Sequence, residues 1–127
     1  MPKHSNVLIA IVDDDNSFRT ATEGLMRSLG YETAGFATAT EFLEARTGLN
    51  PACVISDIHM PGMSGIEMKQ KMNDDGCETA VIFVTAKSDA SLVKRVSECG
   101  GFVLLYKPFS GQALIDAVQS VKGNLLG

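Results

Sequence analysis

Four apolar runs of strand length, at residues 7–12, 52–55, 80–84 and 102–106, constrain this chain more than any other feature. They are rich in Val and Ile and show no polar alternation. A strand wetted on one face alternates, so runs of this kind belong to strands covered on both faces. A fifth run, at residues 31–36, is mixed in polarity and suits the edge of the same sheet. The segments between the runs carry apolar residues at helical spacing. Phe18, Ala21, Leu25 and Leu29 form one stripe, closed by Gly30 as a C-terminal cap. Phe42 and Leu43 follow a Thr38–Glu41 capping pattern. Three further stripes are Ile66, Met68 and Met72; Leu92, Val93 and Val96; and Leu114, Val118 and Val121. Strand and helix alternate five times. That order predicts an α/β domain, a doubly wound sheet of five parallel strands with five helices on its two faces and right-handed crossovers.

Residues 1–127 show no repeat, low-complexity tract or linker, and the expectation is one domain with its core over roughly residues 6–122. Eleven basic against fifteen acidic side chains give a net charge of −4. Without a basic footprint, neither nucleic acid nor an anionic membrane is an expected partner. Cys53, Cys77 and Cys99 fit no metal-ligand or disulfide spacing. Cys53 and Cys99 read as small buried hydrophobes and Cys77 as a loop residue. The start, Met1-Pro-Lys-His-Ser-Asn, has no apolar signal region, and no apolar run approaches the roughly 20 residues that span a bilayer. A cytoplasmic protein is the expectation.

In open parallel sheets, ligands bind beyond the carboxyl ends of the strands. The residues that follow the apolar runs are Asp13, Asp14 and Asp15 after the first, Asp57 after the third, Thr85 after the fourth and Lys107-Pro108 after the fifth. Strand order 2-1-3-4-5 makes these ends neighbours. Asp13, Asp14 and Asp57 together bring carboxylates close enough to repel, and a divalent cation or Lys107 would relieve them. The ligands are hard oxygens, which points to Mg²⁺. Magnesium leaves room for a phosphoryl group, which Thr85 and Lys107 can bind. Asp57 stands alone facing Thr85 and Lys107 and is the best nucleophile; Asp13 and Asp14 are better placed to hold metal. Each residue also has an ordinary structural explanation, such as Asp15 or Asn16 capping the first helix. What those explanations do not cover is the coincidence of four strand ends.

Four stretches, Ile11–Arg19 (IVDDDNSFR), Asp57–Gly65 (DIHMPGMSG), Val84-Thr-Ala86 and Lys107-Pro-Phe109, together resemble the receiver domain of two-component response regulators. The similarity spans essentially the whole chain, and D-x-x-M-P-x-M-x-G is its most specific part. The resemblance implies a flavodoxin-like (βα)5 fold and a phosphorylation-activated switch that is not an enzyme, although it assists its own phosphorylation and dephosphorylation. Asp57 would take a phosphoryl group from a sensor histidine kinase or phosphotransfer protein. Asp14, Asp57 and the backbone carbonyl of His59 would bind Mg²⁺, with Asp13 acting nearby through a water. Thr85, Lys107 and the Ala86 amide would contact the phosphoryl group. Phosphorylation would draw Thr85 inward and rearrange the face of the fourth helix, fifth strand and fifth helix, which an output domain, a target protein or a second copy would read.

The chain departs from the family at two positions. The aromatic residue usual three positions before the lysine is Leu104 here, with Tyr106 beside Lys107, and Gly101 stands where alanine is common. Leu104 is expected to report the switch by packing. His59 and Lys87 occupy the positions that tune phosphoryl lifetime in the family. Residues 107–114 resemble receivers that precede a helix-turn-helix output domain. Two other functions compete. A haloacid-dehalogenase-like phosphatase would use Asp13–Ser17, but Ser17 replaces the expected Thr or Val and Asp57 is left unexplained. A degenerate receiver serving only as an interaction module would rest on Leu104 and Gly101. A flavodoxin-like cofactor carrier is set aside, because its phosphate loop would here be acidic.

Overall fold

The computed structural model describes residues 7–87 and 89–126, with side chains as far as Val121; the Met1–Asn6 start, Ser88 and Gly127 lie outside the described residues. The chain alternates β1 (Leu8–Val12), α1 (Asn16–Ser28), β2 (Glu32–Phe36), α2 (Ala39–Ala45), β3 (Cys53–Asp57), α3 (Gly65–Asp74), β4 (Ala80–Thr85), α4 (Ala90–Glu98), β5 (Val103–Tyr106) and α5 (Gly111–Leu126). A single 3₁₀ turn, Arg46–Gly48, follows α2. All neighbouring strands pair in parallel, in the order β2-β1-β3-β4-β5.

Side-chain alternation along the strands sorts the core into two layers. Ala10, Val12, Val54, Val81 and Phe83 face α2, α3 and α4, where they meet Phe42, Met68, Met72, Leu92 and Val96. Ile9, Ile11, Cys53, Ile55, Ile82 and Val84 face α1 and α5, where they meet Met26, Leu114, Val118 and Val121. β1, β3 and β4 are covered on both sides as their apolar runs require. β5 is not: it pairs with β4 alone and its residues are half-buried or exposed.

Four side chains fall elsewhere than their spacing predicts. In α1, Ala21 is exposed while Thr22 and Met26 are buried. The core-facing stripe runs through Phe18, Thr22, Leu25, Met26 and Leu29, and periodicity counted on apolar residues alone passes over a buried threonine. Val93 points outward from α4 at 58% exposure. Its neighbour Leu92 and Val96, one turn on, already fill the inner face. Of the helix signals, Gly30 holds φ 96°, the left-handed conformation expected just past a helix end. Thr38 caps α2 through the Glu41 amide, but the Glu41 carboxylate reaches Ala37 rather than Thr38. The reciprocal capping box lies at α3, between Ser64 and Glu67.

Candidate functional site at the carboxyl edge of the sheet

Hydrogen bonding between strands continues one residue past several strand ends, and those extra bonds set the site. Asp13 N–H donates to the Phe36 carbonyl at 3.0 Å, Ile58 N–H to Val84 at 3.0 Å, and Lys107 N–H to Thr85 at 2.7 Å. Asp13, Asp57 and Lys107 are thus fixed by backbone before any side chain is considered. By strand parity they continue the Ile11, Ile55 and Leu105 rows and project on the α1/α5 side. Thr85 continues the Phe83 row on the opposite side, in register with Tyr106.

Asp13 is wholly buried, Asp57 is buried with 11% of its side chain exposed, and Asp14 faces solvent. One oxygen from each lies within 4.8 Å of the others. Lys107 Nζ sits 3.0 Å from Asp13 Oδ2 and 3.9 Å from Asp57 Oδ2. Burial, followed by the charge of Asp13, raises the Asp57 carboxyl above the usual carboxylate range. Lys107 and the amides of His59 and Ile58 pull it part of the way back. The His59 amide approaches Asp57 Oδ1 at 3.4 Å.

The loops are held as firmly as the carboxylates. The other oxygen of Asp13 accepts from the Asp15 amide at 2.9 Å, while Asp15 caps α1 by accepting from Ser17 and Phe18. Arg19 donates to the Asp13 carbonyl and to Asn16. Gly65 opens α3 against β3, donating its amide to the Ile58 carbonyl at 2.9 Å. A Cβ there would lie 2.3 Å from the Asp57 carbonyl oxygen, so the last glycine of D-x-x-M-P-x-M-x-G is required by backbone meeting backbone. Thr85 is fully buried and its Oγ1 accepts the Lys87 amide at 3.1 Å, a bond that uses a lone pair and not the hydroxyl hydrogen. Ala86, Lys87 and His59 are exposed around the opening. Leu104 is half-buried against the α3/α4 layer, and Tyr106 is 42% exposed.

Two features escape sequence reasoning. Phe18, one turn into α1, places its ring centroid 4.0 Å from Lys107 Nζ and meets Phe109 edge-on at 5.9 Å. Only its i+3 spacing from the cap residue Asp15 hints at this position. Gly101 is explained by Phe83: a Cβ at residue 101 would lie 2.6 Å from that ring and 2.6 Å from Val96. Glycine at 101 leaves the space that the Phe83 ring and Val96 occupy.

The model of the response regulator receiver domain matches residues 9–119. The chain belongs to the response regulator receiver family. This receiver is 33% identical over 115 residues to the transcriptional regulatory protein FixJ of Azorhizobium caulinodans, a match covering 91% of this chain and 54% of that protein. It is also 33% identical over 113 residues to the response regulator protein TmoT of Ectopseudomonas mendocina, covering 89% of this chain and 51% of TmoT. The receiver therefore spans about half the length of the curated relatives it matches. Among solved structures, the chemotaxis protein CheY4 of Vibrio cholerae superposes with a TM-score of 0.85 at 25% identity, over 91% of this chain and 98% of that one. The response regulator StyR superposes at 0.83 with 37% identity, over 89% of this chain and 57% of StyR. Among the described residues no helix is long and apolar enough to cross a membrane.

Proposed function

We propose that this chain acts as one receiver unit in which Asp57 accepts a phosphoryl group from a histidine kinase or phosphotransfer protein. The observation that carries the reading is the Lys107 ammonium, 3.0 Å from Asp13 and 3.9 Å from Asp57, at the edge where three carboxylates converge. In the transfer, a carboxylate oxygen of Asp57 bonds to phosphorus as the phosphorus–nitrogen bond to the donor imidazole breaks. Lys107 is within reach of the charge that collects on the phosphoryl oxygens. Thr85 keeps its hydroxyl hydrogen to donate to one of them, and the exposed Ala86 amide supplies another donor.

The donor set suits Mg²⁺. It is all hard oxygen, and it combines buried Asp13 with solvent-facing Asp14, which would suit an ion that retains several waters. Asp14, Asp57 and the His59 carbonyl would hold it, with Asp13 adjacent. When bound, it neutralises the carboxylates and the incoming phosphoryl charge. His59 and Lys87 flank the opening and would tune how fast water removes the phosphoryl group. Thr85 and Leu104, both on the α4 side of the sheet, would carry the change of state to the α4–β5–α5 face. An output domain, a target protein or a second copy would bind there. The curated relatives are about twice the length of this chain, which supports an output domain as one such reader.

Intact mass after incubation with acetyl phosphate tests the reading, with Mg²⁺, with chelator and with Asp57→Asn. One phosphoryl adduct requiring both metal and Asp57 is expected. An adduct in Asp57→Asn, or none in the unaltered protein with Mg²⁺, refutes it.

A further inference from the structure

Lys107 is enclosed by two kinds of neighbour. On one side are the carboxylates of Asp13 and Asp57; on the other is the Phe18 ring, its centroid 4.0 Å from Nζ. That ring is itself fixed, because Phe109 meets it at an interplanar angle of 85°. Both aromatics line a cavity of about 450 Å³ together with Ala86, Pro108 and Lys107 itself. Only 19% of the Lys107 side chain is exposed, and a cation over an aromatic face gains most where water is partly excluded.

The distances show why an aromatic suits this place. Lys107 now lies nearer to Asp13 than to Asp57, and to serve a phosphoryl group on Asp57 it must shift sideways. A hydrogen-bond acceptor on the far side would oppose that shift, since such bonds weaken steeply off-axis. A ring face attracts a cation over a broad area, so the ammonium can change partners without losing its backing. We propose that Phe18 is a positioning residue for Lys107, backing the ammonium at the carboxylate cluster while leaving it free to move between Asp13 and a phosphoryl group on Asp57. This rests on the acceptor role of Asp57.

The test is the initial rate of adduct formation with acetyl phosphate and Mg²⁺. The transfer forms the Asp57 oxygen–phosphorus bond and breaks the phosphorus–oxygen bond to acetate, which leaves. Phe18→Leu keeps apolar bulk and loses the ring, and the rate should fall about three- to tenfold, whereas Phe18→Tyr should stay within about twofold of the unaltered protein. Should Phe18→Leu fold poorly, mono-, di- and trifluorinated phenylalanine at residue 18 preserve shape while draining charge from the ring face, and the rate should fall stepwise with fluorine number. Equal rates for Phe18→Leu and the unaltered protein, or a flat fluorine series, overturn the Phe18 role alone. Absence of an adduct on the unaltered protein overturns the acceptor reading and this inference with it.

Discussion

Removing the charge of Asp57 is expected to stabilise the metal-free domain at neutral pH. Asp57→Asn keeps the side chain's shape and an oxygen for the His59 amide. At an effective dielectric constant of about 20, Lys107 at 3.9 Å attracts the Asp57 carboxylate by about 4 kcal/mol. Asp13, within 4.8 Å, repels it by at least about 3.5 kcal/mol, and solvent-facing Asp14 adds a weaker repulsion. The pair terms nearly cancel, so the cost of burial decides the sign, in agreement with the raised pKa whose largest cause is burial. A carboxyl whose folded pKa exceeds its unfolded value of about 3.9 favours folding below that pH, and the contribution is lost as pH rises through the folded value. Ionised Asp57 thus costs stability at pH 7. The variant should gain about 1–2 kcal/mol, with Tm higher by about 3–8 °C. Urea unfolding in chelator from pH 4 to 8 measures the gap, which should widen with pH. With saturating Mg²⁺ the gap should narrow or reverse, because the unaltered protein gains from ligand linkage and the variant has lost a ligand. A variant no more stable than the unaltered protein at pH 7 in chelator, or a gap constant across pH, refutes the reasoning.

Three further outcomes can be checked. Gly65→Ala, whose Cβ would meet the Asp57 carbonyl at 2.3 Å, should cost about 1–3 kcal/mol and slow adduct formation; an unchanged denaturation midpoint contradicts the close approach. Gly101→Ala should cost a similar amount, and Phe83→Leu introduced with it should cost less than the sum of the two changes, read from a double-mutant cycle. Strict additivity would show that Phe83 is not what excludes the alanine. Among the cysteines, burial pushes the Cys53 thiol up to about 12 and also raises Cys99, whereas the Thr79 hydrogen bonds, Arg46 and Lys69 bring half-buried Cys77 down in spite of its partial burial. An alkylating reagent at pH 7.5 should label Cys77 first, and peptide mapping that finds Cys53 modified first contradicts the assignment.

The sheet was legible because β1, β3 and β4 are buried on both faces, which forces unbroken apolar runs. The site was legible because strand ends in a parallel sheet fall on one edge, so the residue after each run marks it. What escaped depends on relations between elements that periodicity does not carry. The Phe18 contact with Lys107 joins α1 to the end of β5, and no local pattern in either segment announces it. Gly101 reads as a departure until Phe83, eighteen positions earlier, is seen to fill its space. Thr22 and Val93 invert expectation for a related reason: helix orientation follows the layer it packs on, and one buried hydroxyl or one exposed valine is cheap enough to tolerate.

β5 pairs with a single neighbour over four residues and is half-buried at best, yet it delivers the only lysine that reaches the carboxylate cluster among the described residues. A rim strand of this kind is among the first parts of a fold to open transiently. Each opening carries Lys107 away and leaves three carboxylates facing one another without their counter-charge. The contact from Lys107 to Asp13 is therefore a latch between the buried end of an inner strand, β1, and the rim strand β5. Whatever changes the charge on the acidic cluster changes how often that latch releases, so amide exchange along β5 becomes a remote gauge of the chemistry at Asp57.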